Sequence, residues 1–336
     1  MDPVNLKKLA EQLSLSVSTV SKAFHNSYDI NKQTKDRILA LARELNYQPN
    51  PLASSLRTQK SRTIAVILPE IANSFFTLAI NGIESVAQEL GYHVLIYLTH
   101  EDHLKEVAFT HHLQSGRVDG VIMSLSDGTK GCTHLDNLRQ KGLPVVFFDR
   151  IYEKCATAKV TTNDYESGYQ ATQHLIEQGC KKIAHLRFAQ DLSISKKRME
   201  GYIQALKDND LPFHKKMVIF CNNTEEDYIL IKEALSSLKP DGIFSSFEKL
   251  AMHTYQASVA LNIRIPENLK VISFSNLETA PLLHPSLTTI TQPAFEIGKR
   301  AASVLFRALE DGTVTIPDEH ITINSVLMKR ASTANY

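Results

Sequence analysis

Apolar residues recur at helical spacing three times within the first stretch of the chain. Leu6, Leu9, Ala10 and Leu13 fall at i, i+3, i+4 and i+7 behind Asn5, a candidate N-cap, which predicts a helix over 6–13. After a turn at Ser14 to Ser16, Val17, Val20 and Phe24 restart the spacing behind a second cap, Ser16. Ser18, Thr19, Ser21 and Lys22 occupy the other faces of this helix. Ile38, Leu41, Ala42 and Leu45 mark a third helix behind Asn31, ending near Asn46. Two short helices joined by a tight turn, the second led by small hydroxyl residues, fit a helix-turn-helix whose second helix enters a major groove. The same seven residues, Ser16 to Lys22, also fit a capped and solvated surface helix. Tyr47-Gln48-Pro49-Asn50-Pro51 then breaks the pattern, because each proline removes a donor and restricts the residue before it. Leu52 to Arg57 leaves room for about one and a half helical turns, too few to be stable alone.

From Arg62 onward the pattern changes to short apolar runs separated by helical stretches. Ile64 to Leu68, His93 to Leu98, Gly120 to Ser124 and Val145 to Asp149 read as buried strands. Lys182 to Arg187, Met217 to Phe220, Gly242 to Ser246 and Lys270 to Phe274 form a second series. Val118-Asp119-Gly120-Val121-Ile122 echoes Pro240-Asp241-Gly242-Ile243-Phe244, an offset of roughly 120 residues that implies two similar α/β halves. Such sheets bind ligands at the carboxyl ends of their strands, so two halves facing each other imply a cleft.

Charge divides the chain in the same way. Residues 1–62 hold ten Lys/Arg against five Asp/Glu, and the remainder 27 against 31, although the whole chain is only +1. A basic head on a mildly acidic body suits a polyanion-binding module joined to something else. The four cysteines, Cys132, Cys155, Cys180 and Cys221, are far apart and form no C-x-x-C pair, so free thiols and no metal site are expected. The start of the chain has no basic-then-apolar leader and no run reaches transmembrane length, so a cytoplasmic protein is expected. No cofactor is expected either. There is no G-x-G-x-x-G after the first strand, no phosphate loop and no G-x-S-x-G elbow. His100-Glu101-Asp102-His103 has the wrong histidine spacing for a zinc helix, and its histidines are expected on the surface. An enzyme is therefore not expected.

V-N-L-K-K-L-A, S-V-S-T-V-S-K-A, L-N-Y-Q-P-N and A-S-S-L together resemble the lactose-repressor (LacI/GalR) family of bacterial transcription regulators. The resemblance covers nearly the whole chain. It implies a small all-α helix-turn-helix head plus an α/β body of two periplasmic-binding-protein-like, doubly wound, parallel-sheet subdomains joined by three crossovers. The implied boundaries are a head over 1–49, a hinge helix and linker over 50–61, a first subdomain over 62–161 and 292–319, and a second over 162–291 and 320–336. Leu287 to Pro293 would cross back to the first half and lead into a helix from about Ala294 to Leu309. Double-stranded operator DNA, a small-molecule effector and a second copy of the chain are the implied partners. The chain has no leucine heptad tail, which in this family argues for a dimer rather than a tetramer.

The resemblance also assigns roles. Val17, Ser18 and Lys22 face bases; Asn5, Ser16, Thr19, Ser21, Asn50 and Ala53 contact or position the duplex; and Leu56 wedges into the minor groove, kinking it. Arginine is common in the family where this chain has Lys22, which reaches guanine without a guanidinium fork. Asn73, Phe75, Phe76, Ser124, Asp149, Arg150, Arg187, Arg198, Phe247 and Ser275 are the effector candidates, with Asp149 and Arg198 singled out by the resemblance. Sugar-binding members usually carry Asn-Asp where this chain has Phe247-Glu248, and Gly-Phe/Tyr-Asp-Asp where it has Ser273-Phe274-Ser275-Asn276. The extra aromatic and the cations Arg150, Arg187 and Arg198 therefore point to a sugar derivative or an anionic metabolite, since arginine suits carboxylate and phosphate. Control by a protein partner, or a plain small-molecule-binding role, are the alternatives.

Overall fold

The structure is a computed structural model that describes residues 5–24, 30–47, 60–190 and 192–335. The chain divides into two compact units, one ending at Ser61 and the other beginning at Arg62. In the first, α1 (Leu6–Leu13) starts at Asn5, whose side chain accepts the Lys8 N–H at 3.0 Å, and stops where Ser14 turns left-handed at φ 53°. Next come α2 (Val17–Phe24) and α3 (Lys32–Glu44), the latter capped by Asn31. Leu9, Ala10, Val20, Ala23, Ile38 and Ala42 close a small core between the three. The helical spacing of these apolar positions turns one stripe of each helix inward.

The second unit alternates strand and helix. Its first lobe runs through β1 (Thr63–Leu68), α4 (Ser74–Glu89), β2 (His93–Leu98), α5 (His103–Leu113), β3 (Gly120–Met123), α6 (Thr133–Gln140), β4 (Val145–Phe148) and β5 (Lys159–Thr162). The second lobe follows: α7 (Asp164–Glu177), β6 (Ile183–Phe188), α8 (Ser193–Asp208), β7 (Val218–Cys221), α9 (Asp227–Leu238), β8 (Gly242–Ser245), α10 (Glu248–Ala260), β9 (Lys270–Phe274) and β10 (Thr288–Thr291). The chain then returns to the first lobe as α11 (Ala294–Glu310) and β11 (His320–Ile323), and crosses once more to β12 (Val326–Met328).

The sheets run β11-β5-β4-β3-β1-β2 and β12-β10-β9-β8-β6-β7, the same order twice. Every described pairing is parallel except that of β12 with β10. Strands β1 and β3 are buried along almost their whole length, which is why they read as unbroken apolar runs.

Each lobe has six strands, two more than the apolar runs indicated. β5 (K-V-T-T) and β10 (T-T-I-T) are short and rich in threonine, so they lack the apolar signature of a central strand. One expected boundary is also corrected. Residues 320–323 pair with β5 in the first sheet, so the last crossover lies between Ile323 and Val326 rather than before residue 320.

Pairs of glycines let helices touch backbone to backbone. A Cβ on Gly168 of α7 would sit 2.4 Å from the Arg198 carbonyl oxygen, and one on Gly201 of α8 would sit 2.2 Å from that of Tyr165. This close crossing fixes where Arg198 stands.

Candidate functional site

In the head, α2 presents Val17, Ser18 and Lys22 outward while Val20 and Ala23 face the core. Ser16 Oγ accepts the Thr19 N–H at 3.1 Å and lies 2.8 Å from both the Ser18 and Thr19 hydroxyls, so the cap also orders the leading residues. The outward face at the start of α2 is small, with one exposed apolar residue, Val17 at 45 %. Short side chains at a helix start allow close approach to a groove floor, and an apolar one can meet a thymine methyl. Thr19 and Ser21 are half-buried beside this face, and Asn5 caps α1. Asn50, Ala53 and Leu56 lie outside the described residues.

In the body, the two lobes meet over a cavity of about 30 Å³ lined from both sides. Eight of the ten candidates stand on its wall: Asn73, Phe75, Phe76, Asp149, Arg150, Arg198, Phe247 and Ser275. Ser124 and Arg187 do not. Ser124 is buried behind Asp149, its Oγ taking the Arg150 N–H at 3.4 Å. Arg187 faces α8 instead, where its Nη1 lies 3.2 Å from Met199 Sδ and its guanidinium 5.5 Å from the Phe220 ring. The alternation of β6 explains this, since Leu186 and Phe188 take the opposite face.

The arginines on the wall are already engaged. Arg198 is 2 % exposed; its Nε donates to Asp164 at 2.8 Å and its Nη1 to the Ser246 carbonyl at 2.6 Å, and it lies 3.7 Å over the Phe274 ring. Arg150 donates to Glu101 Oε1 at 2.5 Å, and its guanidinium lies 5.7 Å from the Phe76 ring. Counting wall and supporting groups, two cations face four carboxylates: Asp149 and Glu248 on the wall, Glu101 and Asp164 behind it. The expectation of an anionic effector rests on three available arginines, of which Arg150 and Arg198 are paired with carboxylates and Arg187 points away from the cavity. Burial pushes the Asp149 carboxyl up to about 6, against the opposing pull of Arg150; Asp164 adds to the rise.

Among the described residues, polar contacts that bridge the cleft include three. Glu248 Oε1 accepts the Ser74 N–H at 3.2 Å, placing a carboxylate of the second lobe on the amino end of α4, where the helix dipole favours negative charge. Ser193 Oγ accepts the Ile151 N–H at 3.4 Å, and Lys197 pairs with Glu153 at 3.0 Å. On the wall, Arg150 Nε, Asn276 Oδ1 and Gln292 Nε2 are buried with no hydrogen-bond partner among the described residues. These are two donors and one acceptor on residues that line the cavity, with Arg150 Nε 3.8 Å from Asp149 Oδ2.

Asn276, which the strand-end rule also offers, joins the wall together with residues outside the ten candidates, and these follow two patterns. Ser246, Glu248, Phe274 and Asn276 sit at the carboxyl ends of β8 and β9, where the strand-end rule points, while Ile194 and Gln292 come from a helix start and a crossover that no strand end marks. Glu101 lies inside a histidine-rich segment whose spacing marks no site, yet it holds Arg150. His103 there is only half-buried, within 3.5 Å of the buried Glu106.

A second correction concerns the cysteines. Cys132 and Cys155 are disulfide-bonded, with Cα atoms 6.0 Å apart. Although 23 residues separate them, they follow the neighbouring strands β3 and β4, whose pairing brings their loops together. Cys180 and Cys221 are buried free thiols, each pushed up to about 12 by desolvation. Among the described residues no group of three or more His, Cys, Asp or Glu could hold a metal ion, and no helix is long and apolar enough to cross a membrane.

Two family models match the chain: one described as bacterial regulatory proteins of the lacI family over residues 5–50, the other as periplasmic binding proteins and the sugar-binding domain of the LacI family over residues 61–330. A ribose operon repressor of Halalkalibacterium halodurans is 29 % identical over 307 residues, covering 91 % of this chain and 90 % of the relative. A LacI family regulator from Enterococcus faecium with bound ribose is 26 % identical, with a TM-score of 0.72 over 81 % of this chain and 98 % of that one. The lac repressor dimer bound to operator shares the fold, with a TM-score of 0.86 over 99 % of this chain and 100 % of that one at 20 % identity.

Proposed function

The chain belongs to the LacI family of bacterial regulatory proteins, and from that premise we propose how it acts: a homodimer reads a two-fold operator with α2, and a neutral, hydroxyl-bearing metabolite in the cleft sets how tightly it binds. It is a ligand-responsive DNA-binding transcriptional regulator, not an enzyme. Val17, Ser18 and Lys22 are the base-reading residues in this account. Ser16, Thr19 and Ser21 fix the register on the duplex, with Asn50, Ala53 and Leu56 completing the contact through the hinge. A regulator that acts on the chromosome works in the cytoplasm, and we assign it there.

The dimer reading is supported by apolar exposure at one end of both sheets. Leu95 and Ile96 of the edge strand β2, with Leu104 and Val107 of α5, are exposed in the first lobe; Phe220 of the edge strand β7, with Ile229 and Leu230 of α9, are exposed in the second. Paired apolar edges of this kind suit a two-fold interface.

The pairing of both wall arginines carries the effector reading. A free carboxylate or phosphate would have to compete with Asp164 for Arg198 and with Glu101 for Arg150. A sugar-like ligand would instead lay an apolar face on Phe75, Phe76, Phe247 or Phe274 and offer hydroxyls to Asp149, Asn276 and Gln292. A cavity of about 30 Å³ is far below the roughly 300 Å³ or more of a typical ligand site. Entry therefore requires the lobes to part, which makes the cleft a two-state element whose closure a ligand biases by its differential affinity.

Two experiments test this. Selection of bound DNA from a random pool is expected to enrich a palindrome; recovery of no preferred sequence at modest salt would contradict the operator reading. Calorimetry against panels of neutral sugars and anionic metabolites is expected to yield binding only among the neutral compounds. Binding confined to anions would overturn the effector reading, and no binding in either panel would favour a protein partner.

A further inference from the structure

The first lobe carries a cysteine pair that lies outside both the DNA-reading helix and the cavity wall. Cys132 stands at the amino end of α6 and Cys155 in the segment between β4 and β5, with their sulfurs bonded. Cys155 is 1 % exposed, in the same core as Ile151, whereas Cys132 is partly exposed. The segment that contains Cys155 begins with Asp149 and Arg150 on the cavity wall. It continues through Ile151 and Glu153, which reach Ser193 and Lys197 of the second lobe. The bond therefore anchors a stretch that both lines the cleft and grips the opposite lobe.

We propose that Cys132 and Cys155 form a reversible dithiol–disulfide modification site whose oxidation holds residues 149–155 against α8 and biases the cleft towards its closed form. The oxidant is a low-molecular-weight disulfide. The accessible Cys132 thiolate attacks one of its sulfurs, forming a mixed disulfide and releasing one small thiolate. Cys155 then attacks Cys132 Sγ, closing the internal bond and releasing the second small thiol, so two electrons and two protons pass from the pair to the oxidant. Excess small thiol reverses both steps. In the reducing cytoplasm the resting state is the dithiol, and the bond forms when the thiol pool is oxidised. Reduction removes the covalent tie between the Cys155 segment and α6, leaving the segment to its packing beside Leu135 and Leu138 and to one backbone hydrogen bond and one surface ion pair with the second lobe, the last two weak on their own.

The test equilibrates the full chain in glutathione buffers from reduced to oxidised, then counts alkylatable thiols by mass spectrometry and measures amide exchange in the two end states. The expected result is loss of one thiol pair, mapped to Cys132 and Cys155. In the oxidised form, exchange over 149–158 and the first turn of α8 slows by about tenfold or more. Cys155→Ser and Cys132→Ser are each expected to abolish both changes, with the reduced variants exchanging elsewhere as the reduced parent does. Absence of the internal disulfide across the whole range would overturn the proposal, as would a disulfide that leaves exchange unchanged. Neither measurement needs DNA or an effector, so failure here is separable from failure of the operator and cleft readings on which its regulatory consequence rests.

Discussion

The two lobes repeat one sheet order but treat their cleft arginines in opposite ways. In the second lobe Arg198 is sealed: its partner Asp164 is 3 % exposed, an aromatic ring covers it, and the Gly168–Gly201 crossing clamps its backbone. In the first lobe Arg150 relies on Glu101, whose side chain is 25 % exposed, and stands beside a carboxyl that titrates near 6 on a segment stapled by Cys132–Cys155. The difference shows that a shared topology supplies equivalent positions while the side chains decide which lobe is a fixed platform and which is an adjustable jaw.

The contrast can be broken most forcefully from the sealed side. Asp164→Ala leaves a buried guanidinium without its counter-charge, and is expected to cost about 3–5 kcal/mol in denaturant unfolding. A loss under about 1 kcal/mol would mean that Arg198 is solvated and the platform is not fixed. Gly168→Ala drives a methyl into the Arg198 backbone and should cost about 1–3 kcal/mol, accompanied by weaker effector binding because Arg198 is displaced.

On the adjustable side the expected effects are smaller and show in binding. An effector hydroxyl donates more strongly to the ionised Asp149 carboxylate than to the protonated carboxyl, so affinity should fall as pH drops below about 6, by at most about tenfold per pH unit, and Asp149→Asn should flatten that profile. The same group has the opposite sign in stability. Its folded value lies above the ordinary value of about 3.9, so its contribution is fully present below that pH and is lost as pH rises through about 6. Glu101→Gln removes the charge of a half-buried partner of the buried Arg150 and should cost about 1–3 kcal/mol of stability, less than Asp164→Ala, while altering effector affinity through Arg150. A stability loss as large as that of Asp164→Ala would erase the distinction between the lobes.

Much of the fold is visible in the sequence because burial writes itself as apolar spacing. The helical stripe of Leu6, Leu9, Ala10 and Leu13 and the uniform runs Ile64 to Leu68 and Val145 to Phe148 are burial patterns that need no tertiary knowledge. Threonine-rich β5 and β10 carry no such pattern, and the placement of residues 320–323 depends on a strand-pairing partner more than 150 residues away. The cleft is legible in part for the same reason. Strand ends announce Asp149, Phe247 and Ser275, yet nothing local tells that Arg198 is spoken for by Asp164, that Arg187 faces the other way, or that Glu248 reaches across to Ser74. Sequence distance likewise hid the Cys132–Cys155 bond, which only the adjacency of β3 and β4 brings together.

Control of operator binding by a neutral hydroxylated ligand in the cleft is read from the affinity of the full chain for its selected operator, measured at fixed salt across panels of neutral sugars and anionic metabolites. At least one neutral sugar is expected to shift that affinity by about tenfold or more, and Arg198→Met to lose the shift while still binding operator. Operator affinity that responds to anionic metabolites alone, or a shift that survives Arg198→Met unchanged, would contradict it.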